Sequence, residues 1–140
     1  MRYPEPGSHD PGYTEMEARE LEVLEFRDLD DGMTTVVTIN EACLGDETVT
    51  PLKAKLREGL LAKIETGRHS FVLNLGRVVM LDSCGLAAII SVKRLLDTND
   101  SSLALTNLSD LLLRLFHLTR LDRVIAIHPT EAEALSAECG

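Results

Sequence analysis

The sequence is poor in aromatic residues, cysteine and basic charge, and each shortage excludes a class of protein. Aromatic residues make up 4% of the 140 residues and tryptophan is absent, so the core has to be aliphatic. A formal net charge of -9 argues against nucleic-acid binding through a basic surface. Cys43, Cys84 and Cys139 are odd in number and widely spaced, which favours reduced thiols over disulfides, zinc ligands or a redox motif.

Long apolar runs are also missing. No run approaches the roughly 20 residues that a membrane-spanning helix needs. The N-terminal residues are acidic and lack the apolar stretch of a signal peptide. We therefore expect a soluble, cytoplasmic protein that binds neither nucleic acid nor a membrane.

Catalytic motifs are absent as well. No pair of the four histidines has the spacing of a metal site, so no metal is expected. Gly76 does not begin a glycine-rich phosphate loop, and Ser83 lacks the glycine two residues earlier that a nucleophile elbow requires. We predict that the chain is not an enzyme, has no catalytic residue and uses no cofactor. An enzyme or small-molecule binder is kept as an alternative that a deep polar pocket would support.

The charges that are present are distributed unevenly. Residues 1–34 hold ten acidic and three basic side chains, whereas residues 35–140 hold thirteen and eleven. Residues 1–20 combine prolines and glycines with polar residues, which predicts a flexible, acidic N-terminal extension. A solvated tail is the simpler interpretation of this extension, and binding to a partner is the alternative. Residues 21–138 are predicted to form one domain, long enough to bury a core without disulfides or metal.

Hydrophobic periodicity predicts elements in the order β-β-α-β-α-β-α-β-α. The predicted strands are residues 21–26, 34–39, 70–75, 103–105 and 124–127. The predicted helices begin after Thr50 and end before Gly67, then cover residues 86–96, 110–118 after a Ser109 cap, and 131–137. After a leading hairpin, strands and helices alternate. This order predicts an α/β fold with a mixed, mostly parallel sheet and helices packed on it.

One segment, residues 72–96, carries an informative site. A buried strand leads into a short apolar loop, and a helix begins near Asp82, Ser83, Cys84 and Gly85. In a purely structural interpretation, Asp82 or Ser83 caps the helix and Gly85 lets its first turn pack closely. In a functional interpretation, a hydroxyl at the positive end of a helix can carry a phosphate without disturbing the fold. That phosphate adds up to two negative charges beside Asp82 and repels a partner that covers the surface.

The residues of this segment resemble a known family. The stretches Leu73-Asn74-Leu75 and Met80-Leu81-Asp82-Ser83-Cys84-Gly85-Leu86 resemble the STAS domain, most closely the bacterial anti-sigma factor antagonists. The resemblance continues through residues 105–109, 114–116, 119–121 and 130–135, and covers roughly residues 22 to 136. It implies a STAS-like sheet of about five strands, with about four helices packed mainly on one face.

The resemblance also implies a function. Such a domain, when unphosphorylated, binds an anti-sigma factor that is a serine kinase, and so releases the sigma factor. Phosphorylation of Ser83 ends the binding, and a phosphatase restores it. Asp82 is implied to help present the hydroxyl, and the helix after Ser83 to form part of the docking surface. The predicted partner-binding residues are Met80, Asp82, Ser83, Cys84, Gly85 and Leu86.

Two further expectations accompany this function. The protein is expected to be a monomer or a weak dimer. The alternative function is a STAS scaffold or signalling module without sigma-factor control.

Three positions depart from the family pattern. Cys84 stands where a second serine is common, and Arg120 stands where many members have glycine. Residues 97–100 replace a glycine pair in the turn before the fourth strand, where Asn99 can adopt the same turn geometry. None of these changes removes the hydroxyl of Ser83.

Overall fold

A computed structural model describes residues 23–139, where strands and helices alternate along most of the chain. The strands are β1 (Leu24–Asp28), β2 (Thr34–Ile39), β3 (Cys43–Leu44), β4 (Ser70–Asn74), β5 (Met80–Leu81), β6 (Ser102–Thr106) and β7 (Ala126–His128). The helices are α1 (Asp46–Glu65), α2 (Ser83–Thr98), α3 (Asp110–Leu118) and α4 (Glu131–Cys139), with a 3-10 turn at Leu121–Arg123. The predicted extension at residues 1–20 lies outside the described residues, so its boundary stays a prediction.

Five strands form one mixed sheet in the order β1-β2-β4-β6-β7. β1 pairs antiparallel with β2, whereas β2, β4, β6 and β7 are parallel neighbours. Parallel neighbours need a crossover connection, and α1, α2 and α3 supply the three crossovers. Apolar residues of these helices share one core with one face of the sheet. The predicted α/β class, with its mostly parallel sheet, is confirmed.

Helix α1 begins one turn earlier than the sequence predicted. Gly45 is its N-cap, and the Gly45 N–H donates to Thr48 Oγ1 at 3.0 Å. Because this closure stabilises a turn before Pro51, the proline lies inside the helix instead of at its first position. The predicted end is close to the observed one: α1 stops at Glu65, and Gly67 has a φ of +97°, which favours glycine.

Other boundaries also shifted by a few residues. β1 was predicted over residues 21–26 and is observed over Leu24–Asp28, with residues 21 and 22 outside the described chain. β7 begins later than predicted because the Val124 and Ile125 N–H groups still donate to the Leu121 carbonyl, which extends the turn to Ile125. In the turn after α2, Asp100 takes the left-handed conformation with a φ of 56°, whereas Asn99 has a φ of -105°. The expectation that Asn99 supplies this geometry was therefore wrong.

Helix α4 covers the opposite face of the sheet. Side chains alternate between the faces of a strand, so residues next to those facing α1–α3 point the other way. On that second face, Ala134 packs in a small cluster with Val36, Val72 and Ala104. Of the four described α-helices, three therefore lie on one face and one on the other, in agreement with helices packed mainly on one face.

Polar contacts fix the start of α4 to the sheet. Arg27 Nη2 and Asn74 Nδ2 donate to the Glu131 carboxylate at 2.8 and 2.5 Å. Burial alone would raise the pKa of Glu131, but the two hydrogen bonds and the Arg27 charge outweigh it. The pKa of Glu131 therefore lies below its ordinary value of 4.5.

The Glu131→Gln variant is expected to lose about 1 kcal/mol of unfolding free energy at pH 7. Because folding depresses this pKa, the carboxylate stabilises the fold above the ordinary value of 4.5, and this contribution disappears as the pH falls through the folded value. Urea denaturation at pH 7 and at about pH 3 measures the difference between variant and wild type, which should shrink at the lower pH. Glu133→Gln, an exposed neutralisation in the same helix, is the control. A pH-independent loss contradicts this account.

Arg120 has a left-handed backbone, with φ 63° and ψ 19°. The sequence analysis had singled out this position as a departure from the family pattern, in which many members have glycine there. A left-handed conformation costs a residue other than glycine about 1–2 kcal/mol, so Arg120→Gly is expected to raise the unfolding free energy by about 1 kcal/mol. Thermal or urea denaturation measures the change. Arg123→Gly, three residues later and not left-handed, should be neutral or destabilising, and equal effects of the two variants would exclude backbone strain at Arg120.

Candidate functional site

Asp82 caps helix α2. Its Oδ1 atom accepts hydrogen bonds from the Cys84 and Gly85 N–H groups at 2.8 and 3.1 Å. Asp82 has an extended backbone, and its own N–H donates to the Leu44 carbonyl at 3.1 Å. These bonds satisfy two of the unpaired donors at the helix start and hold the turn against β3. Of the two capping residues that the sequence allowed, Asp82 has this role.

Ser83 is the first residue of α2, and its side chain is exposed. Within residues 23–139, no side chain forms a hydrogen bond with its hydroxyl. The Asp82 carboxylate instead binds main-chain N–H groups, so Asp82 acts on Ser83 by fixing the backbone on which the hydroxyl stands. Among the described residues, nothing bonds to this hydroxyl that would hold it back from an approaching enzyme.

The helix start at Ser83 differs from one whose N–H groups have no hydrogen-bond partner. The Asp82 side chain already accepts from the Cys84 and Gly85 N–H groups, so these donors of the helix start are not free for a phosphate. A phosphate on Ser83 would therefore lie beside a carboxylate on the exposed surface. Such an arrangement would favour repulsion of a covering partner over stabilisation of the phosphate by the helix itself.

Gly85 brings α2 into close contact with the junction between β3 and α1. A Cβ atom on Gly85 would lie 2.4 Å from the Leu44 carbonyl oxygen, a main-chain atom that cannot move aside cheaply. Leu44 belongs to β3, which pairs with β5 through Cys43–Met80 and Leu44–Leu81. Gly85 itself is buried, and this close packing positions the start of α2, whereas its predicted contact with a partner stays a prediction.

Large apolar residues are exposed on the segment that leads into α2 and on a helix that contacts this segment. Val79 and Met80, directly before Asp82, are 61% and 56% exposed. Helix α3 contacts β5 and exposes 56% of Leu111 in its first turn. Cys84 and Leu86 are half-buried and pack against the core. Exposed apolar residues that cluster around one polar position are typical of a protein-binding surface.

The sequence analysis missed three contributors to this site. No strand was predicted between residue 39 and the helix after Thr50, yet Cys43–Leu44 is a strand that pairs with Met80–Leu81. Val79 and Leu111 were not singled out either. A strand of two residues is too short to show an alternating pattern in the sequence. The exposure of Leu111 is visible only in the three-dimensional structure.

The part of the chain that the structure describes contains neither a candidate metal site nor a candidate membrane-spanning helix. No group of three or more His, Cys, Asp or Glu side chains in residues 23–139 is placed to hold a metal ion. No helix in this range is both long and apolar enough to cross a membrane.

The fold and the site together define an α/β domain that presents a serine at the start of a helix. The chain belongs to the STAS domain family, whose model matches residues 49–134. Its sequence is 30% identical over 94 residues to an anti-sigma-B factor antagonist of Staphylococcus epidermidis, covering 66% of this chain and 87% of the relative.

Solved structures agree with the fold. A crystal structure of an anti-sigma factor antagonist from Mycobacterium paratuberculosis matches 81% of this chain and 91% of its own, with a TM-score of 0.65 and 24% identity. The unphosphorylated form of SpoIIAA, an anti-sigma factor antagonist, matches 84% of this chain and 98% of its own, with a TM-score of 0.60 and 19% identity. At these identities the likeness establishes the architecture alone.

Proposed function

We propose that this protein is an anti-sigma factor antagonist controlled by phosphorylation of Ser83. In the unphosphorylated state it binds an anti-sigma factor with serine kinase activity, and the sigma factor is released. Phosphorylation by that kinase ends the binding, and a phosphatase restores it. The proposal is supported by the exposed Ser83 hydroxyl at a capped helix start, to which no described side chain bonds, with exposed Val79 and Met80 shortly before it in the chain.

The physical basis of the switch is a change of charge on an apolar surface. Burying Val79, Met80 and Leu111 against a partner releases water from apolar area, which favours association. A phosphate on Ser83 adds up to two negative charges beside Asp82, and both groups would have to lose their hydration in the complex. The phosphate therefore lowers the stability of the complex and leaves the fold of the domain unchanged.

The direct test uses purified protein, ATP and each candidate anti-sigma factor kinase. Mass spectrometry is expected to place one phosphate on Ser83, and calorimetry should show binding before phosphorylation and none after it. Ser83→Ala should bind and accept no phosphate. A phosphate on another residue, or equal binding of both forms, would overturn the proposal.

A further inference from the structure

The side-chain amide of Asn74 forms hydrogen bonds in two directions. Asn74 is the last residue of β4, and its Oδ1 atom accepts from the Gly76 N–H at 2.8 Å. On the other side, its Nδ2 atom donates to the Glu131 carboxylate at 2.5 Å, at the start of α4. Reversing the amide would place its oxygen against the carboxylate and its NH2 group against the Gly76 N–H. The two contacts together therefore fix one orientation of the amide.

Gly76 lies in the turn that leads to the candidate docking surface. A hydrogen bond from the Val78 N–H to the Leu75 carbonyl closes this turn at 3.0 Å. Val78 is buried, and the next N–H group, that of Val79, donates to the Ala42 carbonyl at 2.7 Å. Main-chain hydrogen bonds therefore fix the end of the turn, and the exposed side chain of Val79 follows directly after it.

The beginning of the turn depends on Asn74. Among the described residues, Asn74 is the one side chain that forms a hydrogen bond with residues 75–78. Gly76 is exposed, and a Cβ atom on it would lie 3.0 Å from Asn74 Oδ1, so the main chain passes close to the amide. Loss of this acceptor would leave the Gly76 N–H to water and allow the first half of the turn to move.

Glu131 strengthens the contact with Gly76 from the opposite end of the amide. A carboxylate that accepts from an amide N–H polarises the amide group, and the amide oxygen becomes a better acceptor. Glu131 is half-buried, and Arg27 Nη2 donates to its other oxygen at 2.8 Å, which orients the carboxylate. Because α4 carries this carboxylate, the position of α4 affects the strength of the hydrogen bond that begins the turn.

We propose that Asn74 is a positioning residue that couples the packing of α4 to the placement of Val79 and Met80. Its amide transmits the position of Glu131, on the α4 face of the sheet, to the turn that precedes these two exposed side chains. Their contact with an anti-sigma factor rests on the function proposed above. Loss of the Glu131–Asn74 bond should therefore weaken binding about threefold to tenfold, the range that one hydrogen bond supports, while Ser83 itself is unchanged.

Nuclear magnetic resonance of the full chain tests the coupling without a partner. Glu131→Ala removes the acceptor from Asn74 and should shift both the amide resonance of Gly76 and the methyl resonance of Met80. Arg27→Ala is the matched control, because it removes the other hydrogen bond to the same carboxylate and leaves the Asn74 contact in place. Its shifts at Gly76 and Met80 should be much smaller. Unchanged resonances in Glu131→Ala, or equal shifts in the two variants, would overturn the proposal.

A double-mutant cycle gives a second measurement. In the Asn74→Ala background, Glu131→Ala should cause no further shift at Met80, whereas additive shifts would mean that α4 acts by another route and would contradict the proposal.

Calorimetry with the anti-sigma factor measures the effect on docking. Glu131→Ala should weaken binding by the factor given above, and Arg27→Ala, which loses one exposed ion pair, by less than about twofold. If the wild type binds and Glu131→Ala binds equally well, the coupling to docking fails and the proposed function stands. If the wild type does not bind, the proposed function fails, and the resonances alone decide the coupling.

Discussion

Replacing Ser83 by aspartate is expected to weaken binding of the anti-sigma factor about 100-fold or more, which corresponds to about 2.7 kcal/mol. The aspartate places a permanent charge beside Asp82, on the surface that exposes Val79 and Met80. Ser83 is exposed and stands at the first helical position, where the helix dipole favours a negative charge. The far-UV circular dichroism spectrum and the urea midpoint should therefore stay at their wild-type values, while titration calorimetry records the lost affinity.

Ser136→Asp supplies the matched control. Ser136 is also exposed and helical, but it lies in α4 on the opposite face of the sheet. It adds the same net charge far from the candidate docking surface, so its affinity should remain within about twofold of the wild type at physiological salt, where distant charges are screened. The phosphorylation switch fails as an explanation if Ser83→Asp binds as tightly as the wild type.

The Gly85→Ala variant should be destabilised by about 2 kcal/mol. Helix propensity alone makes this substitution stabilising by about 1 kcal/mol. The new methyl group, however, would lie 2.4 Å from the Leu44 carbonyl oxygen, and overpacking against main chain costs about 3 kcal/mol. Urea denaturation measures the change in unfolding free energy, and its sign shows whether helix propensity or overpacking dominates. Because relief of the clash moves the start of α2 away from β3, affinity for the partner should fall as well.

Gly59→Ala provides a comparison in another helix. A Cβ atom on Gly59 would lie 2.3 Å from Phe26 Cζ, which is the far end of a half-buried side chain. A small change of χ1 can move the end of this side chain away, so the loss should stay below about 1 kcal/mol. Equal losses of unfolding free energy at Gly59 and Gly85 would mean that contact with the Leu44 main chain is no costlier than contact with a side chain.

Some elements could be predicted from the sequence because their signals are local. β2 was predicted at its observed bounds, Thr34–Ile39, from a run of β-branched residues. α3 was also predicted at its observed bounds, Asp110–Leu118, because Ser109 accepts from the Leu112 N–H and marks the helix start. The position of the candidate site followed from the Asp-Ser-x-Gly stretch and from the family resemblance.

The contacts that shape the site could not be predicted in this way. Leu44 and Gly85 are far apart in the sequence, and nothing near either residue indicates that they meet. The face on which α4 packs was equally hidden, since Ala134 is small and local periodicity does not distinguish the two faces of a sheet buried on both sides. The early start of α1 arose from a cap without a side chain, Gly45, whereas the sequence pointed to Thr50 and Pro51.

The position of α4 also matters while the chain is being synthesised. β2, β4 and β6 are complete before Glu131–Cys139 has been made, and until then Val36, Val72 and Ala104 lack the helix that covers them. A nascent chain therefore displays an uncovered apolar sheet face, which invites association with other unfinished chains. Once α4 has been synthesised it can cover this face, and Arg27 and Asn74 on the sheet bind Glu131, its first residue.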